Sequence, residues 1–245
     1  MSTETGNATG TQESNAAGIQ PSPRMFPEGL IGKKVGMTQV FTPEGEVIPV
    51  TVVQVGPCHI LDVRTNEQHG YSAVQFGFEP KKQQRIDKAL MGHFAKAGKG
   101  GFYMVSELRC DAQRLGWTTP GHEVKVADVF AAGELVDISG VTKGRGFAGV
   151  VKRFKVGGQP STRGTHEYRR HIGAIGNRKF PGRVKKNQRM PGHMGNENTT
   201  VKNLRVVGVN PEENLLLVQG GIPGAKGGFV VVRKARKTYR SAKAA

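Results

Sequence analysis

The chain has 245 residues, with 36 Lys and Arg against 19 Asp and Glu, for a formal net charge of +17. Only 36% of it is apolar, while 35 glycines and 13 prolines announce many turns. With two cysteines, Cys58 and Cys110, and no apolar run approaching the roughly 20 residues of a membrane helix, disulfide scaffolds and membrane spans are excluded, and an anionic partner is favoured.

Residues 1–24 are rich in Ser, Thr, Asn and Gly and have almost nothing to bury, so they are expected to form a disordered polar tail. They lack the basic start and apolar core of a secretory signal, and the expectation is a soluble protein of a reducing, cytoplasmic compartment. From Ile31 to Phe41 and from Glu46 to Val55 the pattern is β, joined by the turn Thr42-Pro43-Glu44-Gly45. Pro49 marks an edge or a bulge in the second strand. Ile60–Thr65 and Tyr71–Phe78 are further strand candidates. Over 81–97 the period changes, since Ile86, Leu90 and Phe94 recur every four residues and predict a helix, with His93 beside the stripe. β-pattern returns at Phe102–Leu108, Glu123–Phe130 and Glu134–Val141, and again at Lys202–Val209, Leu215–Gln219 and Phe229–Arg233. A short basic tail, 236–245, ends the chain.

Between the last two groups of strands lies Val141–Asn196, 56 residues with 14 Lys and Arg, one acid (Glu167), 11 glycines and 3 prolines. It carries +13 of the chain's +17, and its 15 apolar residues are too few to repay the entropy of ordering it alone. A solvated basic face accounts for one or two charges, not for this density. The expected architecture is mainly β, a six-stranded antiparallel barrel over 25–140 and 197–235, which removes exposed edges. A small helical insertion lies near 81–97, and a long basic glycine-rich arm over 141–196. Two legs of about 25 residues would reach on the order of 80–90 Å at full extension.

Within the arm, Gly144-Arg145-Gly146-Phe147-Ala148-Gly149 fits G-x-G-x-x-G, and Phe147, Val150, Val151 and Phe154 share a face of a possible helix of some ten residues ending at Gly157-Gly158. A nucleotide-binding enzyme built on this motif is the alternative reading. It would need a full crossover helix, a second parallel strand and an acid at its end, and the arm offers only Glu167 in a polar run. The physics of the turn still suits phosphate, with Lys143 and Arg145 flanking it. His166, His171 and His193 match no common metal spacing, and no C-x-x-C exists, so no metal or cofactor is expected. Paired-carboxylate catalysis has nowhere to sit in the arm. RNA remains: glycines admit phosphates, arginines offer planar donors, and Tyr168, Phe180 and His171 offer stacking faces. The residues expected to contact it are Lys143, Gly144, Arg145, Gly146, Lys152, Arg153, Lys155, Arg163, His166, Arg169, Arg170, His171, Arg178, Lys179, Arg183, Lys185, Lys186, Arg189 and His193.

The spacing of Phe130, Asp137, Gly140, Thr142, Gly144-Arg145-Gly146, Gly149 and Arg153 resembles the motif of the large-subunit ribosomal protein L-three family. Ile31–Phe41 is similar to that family's N-terminal strand, Met190–Asn196 to its return from the arm, and Asn214–Gly224 to its C-terminal hairpin. The resemblance covers about residues 29 to 235. It implies a structural protein without catalysis of its own: a barrel at the surface of the large subunit of the cytoplasmic ribosome, with a loop reaching toward the peptidyl-transferase region. It also implies direct binding to large-subunit (23S) RNA near its 3′ end early in assembly, with ribosomal proteins L-fourteen and L-nineteen as neighbours. Carried onto this chain, Lys143–Arg153 would seat the arm's base and His171–Arg189 its inner part. Some bacterial members carry a methylated glutamine after Ile-Gly near the tip; here Ile175-Gly176 is followed by Asn177, so that modification is not expected.

Overall fold

A computed structural model describes residues 28–115, 118–162 and 164–236; the two expected tails, apart from Arg236, lie outside the described residues. In chain order the strands are β1 (Gly29–Phe41), β2 (Val47–Val55), β3 (Cys58–Arg64), β4 (Ala73–Lys81), β5 (Gly101–Arg109) and β6 (Glu123–Val124). There follow β7 (Leu135–Val141), β8 (Phe147–Ala148), β9 (Gly192–His193), β10 (Asn198–Asn210), β11 (Leu215–Gln219) and β12 (Phe229–Lys234). Six of them close an antiparallel barrel in the order β1-β12-β7-β10-β11-β2, leaving no free edge. The β1–β2 turn forms as its residues dictate, with Gly45 at φ 85 and the Glu46 N–H donating to Thr42 Oγ1 at 3.0 Å. Pro49 sits where β11 ends, since the β2–β11 ladder stops at Val50↔Gln219, so its missing donor breaks no ladder bond on that side.

The segment between β2 and β7 is more than a helical insertion. Its strands form a separate antiparallel sheet, β5-β4-β3-β6, packed on the barrel. One apolar cluster runs through both, joining Leu30, Ile31, Val53, Ile138, Leu216 and Val232 of the barrel to Cys58, Ile60, Val74 and Phe76 of the second sheet. Phe78 meets Phe229 edge-on at 6.2 Å across the junction. Polar contacts close it: Cys58 Sγ donates to the Ile31 carbonyl at 3.3 Å, and Asn214 Oδ1 accepts the Val126 N–H at 3.3 Å. Burial pushes the Cys58 thiol up to about 12, so it stays a neutral, inert core residue.

Two local expectations shift. The helix predicted over 81–97 is confined to Lys88–Ala95, because Lys81 still belongs to β4 and residues Gln83–Arg85 make a 3-10 turn. Ile86 and Phe94 enter a small satellite core with Leu61 and Phe102, but Leu90 is exposed. Ile86 packs so closely on Gly101 that a side chain there would collide with it. Residues Glu123–Phe130 are not a strand throughout: β6 ends at Val124 and a short helix takes Val126–Val129. The Asp128 carboxylate accepts the Lys125 N–H at 2.8 Å and caps that turn, which buries Val126, Val129 and Phe130 together.

Candidate RNA interface

The arm leaves the barrel at Val141 and returns at Asn198, which are register partners in the β7–β10 ladder. Both ends are thus held by one pair of adjacent strands. The Thr142 N–H donates to the Glu197 carbonyl at 3.0 Å, Arg145 N–H to the Met194 carbonyl at 2.8 Å, and Met194 N–H to the Gly146 carbonyl at 3.0 Å. Beyond them β8 pairs antiparallel with β9 through Phe147↔His193 and Ala148↔Gly192. The two glycine-bearing legs approach so closely that a Cβ on Gly195 would run into the Lys143 carbonyl.

A five-residue helix, Val150–Phe154, follows β8 and ends at Lys155 in the left-handed conformation (φ 56). It is half the length expected. Val150 is buried, but Phe147 is 81% exposed in β8 rather than sharing the helix face. The strand before this helix is antiparallel to its partner, as is every paired strand among the described residues, so the glycine motif lacks the parallel crossover that a dinucleotide site requires.

Arg153 organises the root. Its Nη1 donates to the Met190 carbonyl at 3.0 Å and its guanidinium lies 4.9 Å from the Phe154 ring centroid, while Arg189 approaches the same ring at 5.9 Å. Phe154 therefore carries two cations brought from opposite legs, a role the spacing of the segment did not disclose. The signal was an aromatic inside a Lys/Arg run. Lys143, Arg145 and Arg153, with Phe154 and Glu197, line a cleft of about 550 Å³. Nearby, Lys34 of β1 donates to the carbonyls of Ile222 (3.0 Å) and Gly224 (3.4 Å). Burial, and secondarily the Lys143 charge, hold its pKa below the usual lysine range.

Farther out, His166, Arg169 and Arg170 lie in a 3-10 turn, His166–Arg170, and His171 meets Tyr168 edge-on at 4.9 Å. The Gln159 N–H donates to the Arg169 carbonyl at 3.0 Å and closes a local loop within the outgoing leg. Residues 173–189 are exposed without exception, and they hold Arg178, Lys179, Arg183, Lys185, Lys186 and Arg189. Phe180 is 87% exposed at a tip cleft lined also by Ile175, Asn177, Arg183 and Lys185. Gly144 and Gly146 occupy the entry loop with Lys143 and Arg145, Lys152 sits on the short helix, and His193 stands in β9 opposite Phe147. Arg163 lies outside the described residues.

The predicted contacts therefore fall into two groups, one gathered at the root and one spread along an exposed loop. Among the described residues no arm cation pairs with a carboxylate; the ion pairs lie in the barrel and the second sheet, as in Lys33–Glu79 at 2.6 Å. Nor does any group of three or more His, Cys, Asp or Glu among the described residues form a metal cradle. Unpaired cations and exposed rings on a doubly anchored loop can bind phosphates and stack on bases.

A family model described as Ribosomal protein L3 matches residues 107–214, from β5 through the whole arm to the β10–β11 turn. A large ribosomal subunit protein uL3 of Anaeromyxobacter dehalogenans is 48% identical over 214 residues, covering 85% of this chain and 91% of that protein. Those of Deinococcus radiodurans (47%) and Syntrophotalea carbinolica (44%) each cover 86% of the chain, and 96% and 99% of their own lengths. The chain belongs to the uL3 family. These uL3 proteins are structural constituents of the large subunit of the cytoplasmic ribosome, and enzymatic activity is not a property of the family. The uL3 relatives are covered almost end to end, so the likeness includes barrel, second sheet and arm together.

Proposed function

We propose that this chain is built into the large ribosomal subunit by direct contact with its RNA, and that the arm over 141–196 is the principal contact. In this reading the barrel sits at the subunit surface over 23S RNA near its 3′ end, with ribosomal proteins L-fourteen and L-nineteen beside it. The arm runs inward toward the peptidyl-transferase region, its root at Lys143–Arg153 and its inner part at His171–Arg189. Binding occurs early and helps nucleate subunit assembly. The observation that carries the reading is the run of exposed residues 173–189, whose six Lys and Arg have no carboxylate partner within the described chain. Such a loop gains order and charge neutralisation together only on a polyanion.

The decisive measurement is the affinity of the full chain for large-subunit RNA as a function of salt. Six phosphate contacts on unpaired strands would give a slope of log affinity against log salt near −4. Absence of binding at moderate salt, or binding indifferent to salt, overturns the proposal. Sedimentation of a tagged copy with the large subunit tests the same assignment in the assembled particle.

A further inference from the structure

Outside the arm, the barrel and the second sheet enclose a groove between them. Two adjoining hollows of about 350 and 270 Å³ share Glu28, Arg109 and Arg236, so they form one continuous feature. Its walls come from four separate stretches: Arg109 at the end of β5, Asp137 and Ser139 of β7, Lys202 and Asn203 of β10, and Arg233 of β12. Five cationic side chains face three carboxylates, Glu28, Asp111 and Asp137. Of the cations, Lys234 is paired with Glu134 at 3.4 Å. Of the acids, Asp137 already accepts the Asn203 N–H at 2.8 Å.

Asn203 makes this groove more than a basic hollow. It stands at the β10 bulge between Val201 and Leu204, in the left-handed conformation (φ 56), and its Oδ1 is buried with no hydrogen-bond partner. A buried acceptor without a donor costs stability unless something supplies one. The floor is shaped for close approach as well. Gly29 lines it, and a Cβ there would meet the Val232 carbonyl at 2.7 Å and Arg233 Cγ at 3.0 Å. At the other end Arg109 lies 5.6 Å from the Tyr71 ring centroid, presenting a planar cation already braced by an aromatic.

We infer that this groove seats a nucleotide of the ribosomal RNA as a second contact, independent of the arm; the inference rests on the RNA-binding reading above. The cations take the phosphodiester, the Arg109 plane takes a base face, and the 2′-hydroxyl or a base amino group donates to Asn203 Oδ1. A phosphodiester alone satisfies the cations but offers no donor to Asn203. The combination of anion and donor is what a ribonucleotide provides.

Cys110 lines the groove and is only partly buried, whereas Cys58 is wholly buried with its thiol pushed up to about 12. Maleimide labelling of the full-length protein therefore reads Cys110 against an inert internal reference. Bound large-subunit RNA is expected to slow that labelling. Arg109→Gln with Arg233→Gln should remove the protection while RNA stays bound through the arm, and should make the salt slope shallower by about 0.7, the one phosphate contact assigned to Arg233. Asn203→Gly, which keeps the left-handed backbone, should leave the slope alone and reduce the preference for RNA over DNA of the same sequence. Bound RNA with unchanged Cys110 labelling overturns this inference alone, whereas no RNA binding at all overturns it together with the arm reading. Protection in isolated subunits that survives ribonuclease digestion also overturns it, and gives the groove to a protein.

Discussion

At the scale of single residues, the arm's root depends on close backbone approach. Gly195 has φ 78, and a Cβ there would collide with the Lys143 carbonyl and lie 3.0 Å from Gly144 Cα. Gly195→Ala should destabilise the root locally by about 1–3 kcal/mol, the cost of a strained left-handed residue. Hydrogen exchange at the Arg145 and Met194 amides, which bridge the two legs, should quicken while the barrel's denaturation midpoint holds. An equal fall in both would make the root part of the cooperative core. His59 offers a second test. Its Nδ1 is buried without a partner, and its ring lies 5.3 Å from Phe102. Burial first, then Lys99, lower its pKa, with Glu123 opposing. The folded state therefore holds His59 neutral where the unfolded chain protonates. Its contribution to stability is whole above the unfolded value of 6.5 and falls as pH drops below it. Urea midpoints should decline between about pH 7.5 and 5.5, and His59→Gln should flatten that decline.

Individual elements show which features local pattern carries. Alternation and turn chemistry marked nearly every strand to within a few residues, because the pleat and the φ demand of a turn glycine such as Gly45 act over short range. Partner choice acts over long range, so β3–β6 read as candidate barrel strands although they pair only with one another. Short apolar runs also hide their period: Val126, Val129 and Phe130 fit a strand until the Asp128 cap turns them into a helix. The arm was legible because its charge is contiguous. The groove was not, since Arg109, Asn203 and Arg233 are assembled from distant strands. The shared core carries its own consequence. Phe76, fully buried in β4, belongs to the cluster that spans both sheets. Phe76→Ala should cost about 3–5 kcal/mol, and exchange protection in β4 and in β7 should fall together. Loss confined to the second sheet would show two independent folding units.

The whole molecule divides its stability from its charge. Apolar burial is concentrated in the barrel and the second sheet, whose clusters contain none of the described residues of 141–196, while that segment carries +13 of the chain's +17. The arm thus contributes repulsion and conformational entropy to the free protein, and its order depends on backbone bonds near the root. A segment stabilised only by its ends opens without unfolding the domain. Trypsin should accordingly cut the free protein first within 173–189, at sites such as Lys179, Lys185 and Lys186, and leave a barrel fragment whose two arm stumps remain paired through β7 and β10. In the assembled subunit, phosphates covering the same side chains should suppress those cuts. Mass spectrometry of the early fragments from both states compares them directly. Equal cleavage rates would mean that the arm is not seated in RNA, and would leave the barrel groove as the only RNA contact still to be tested.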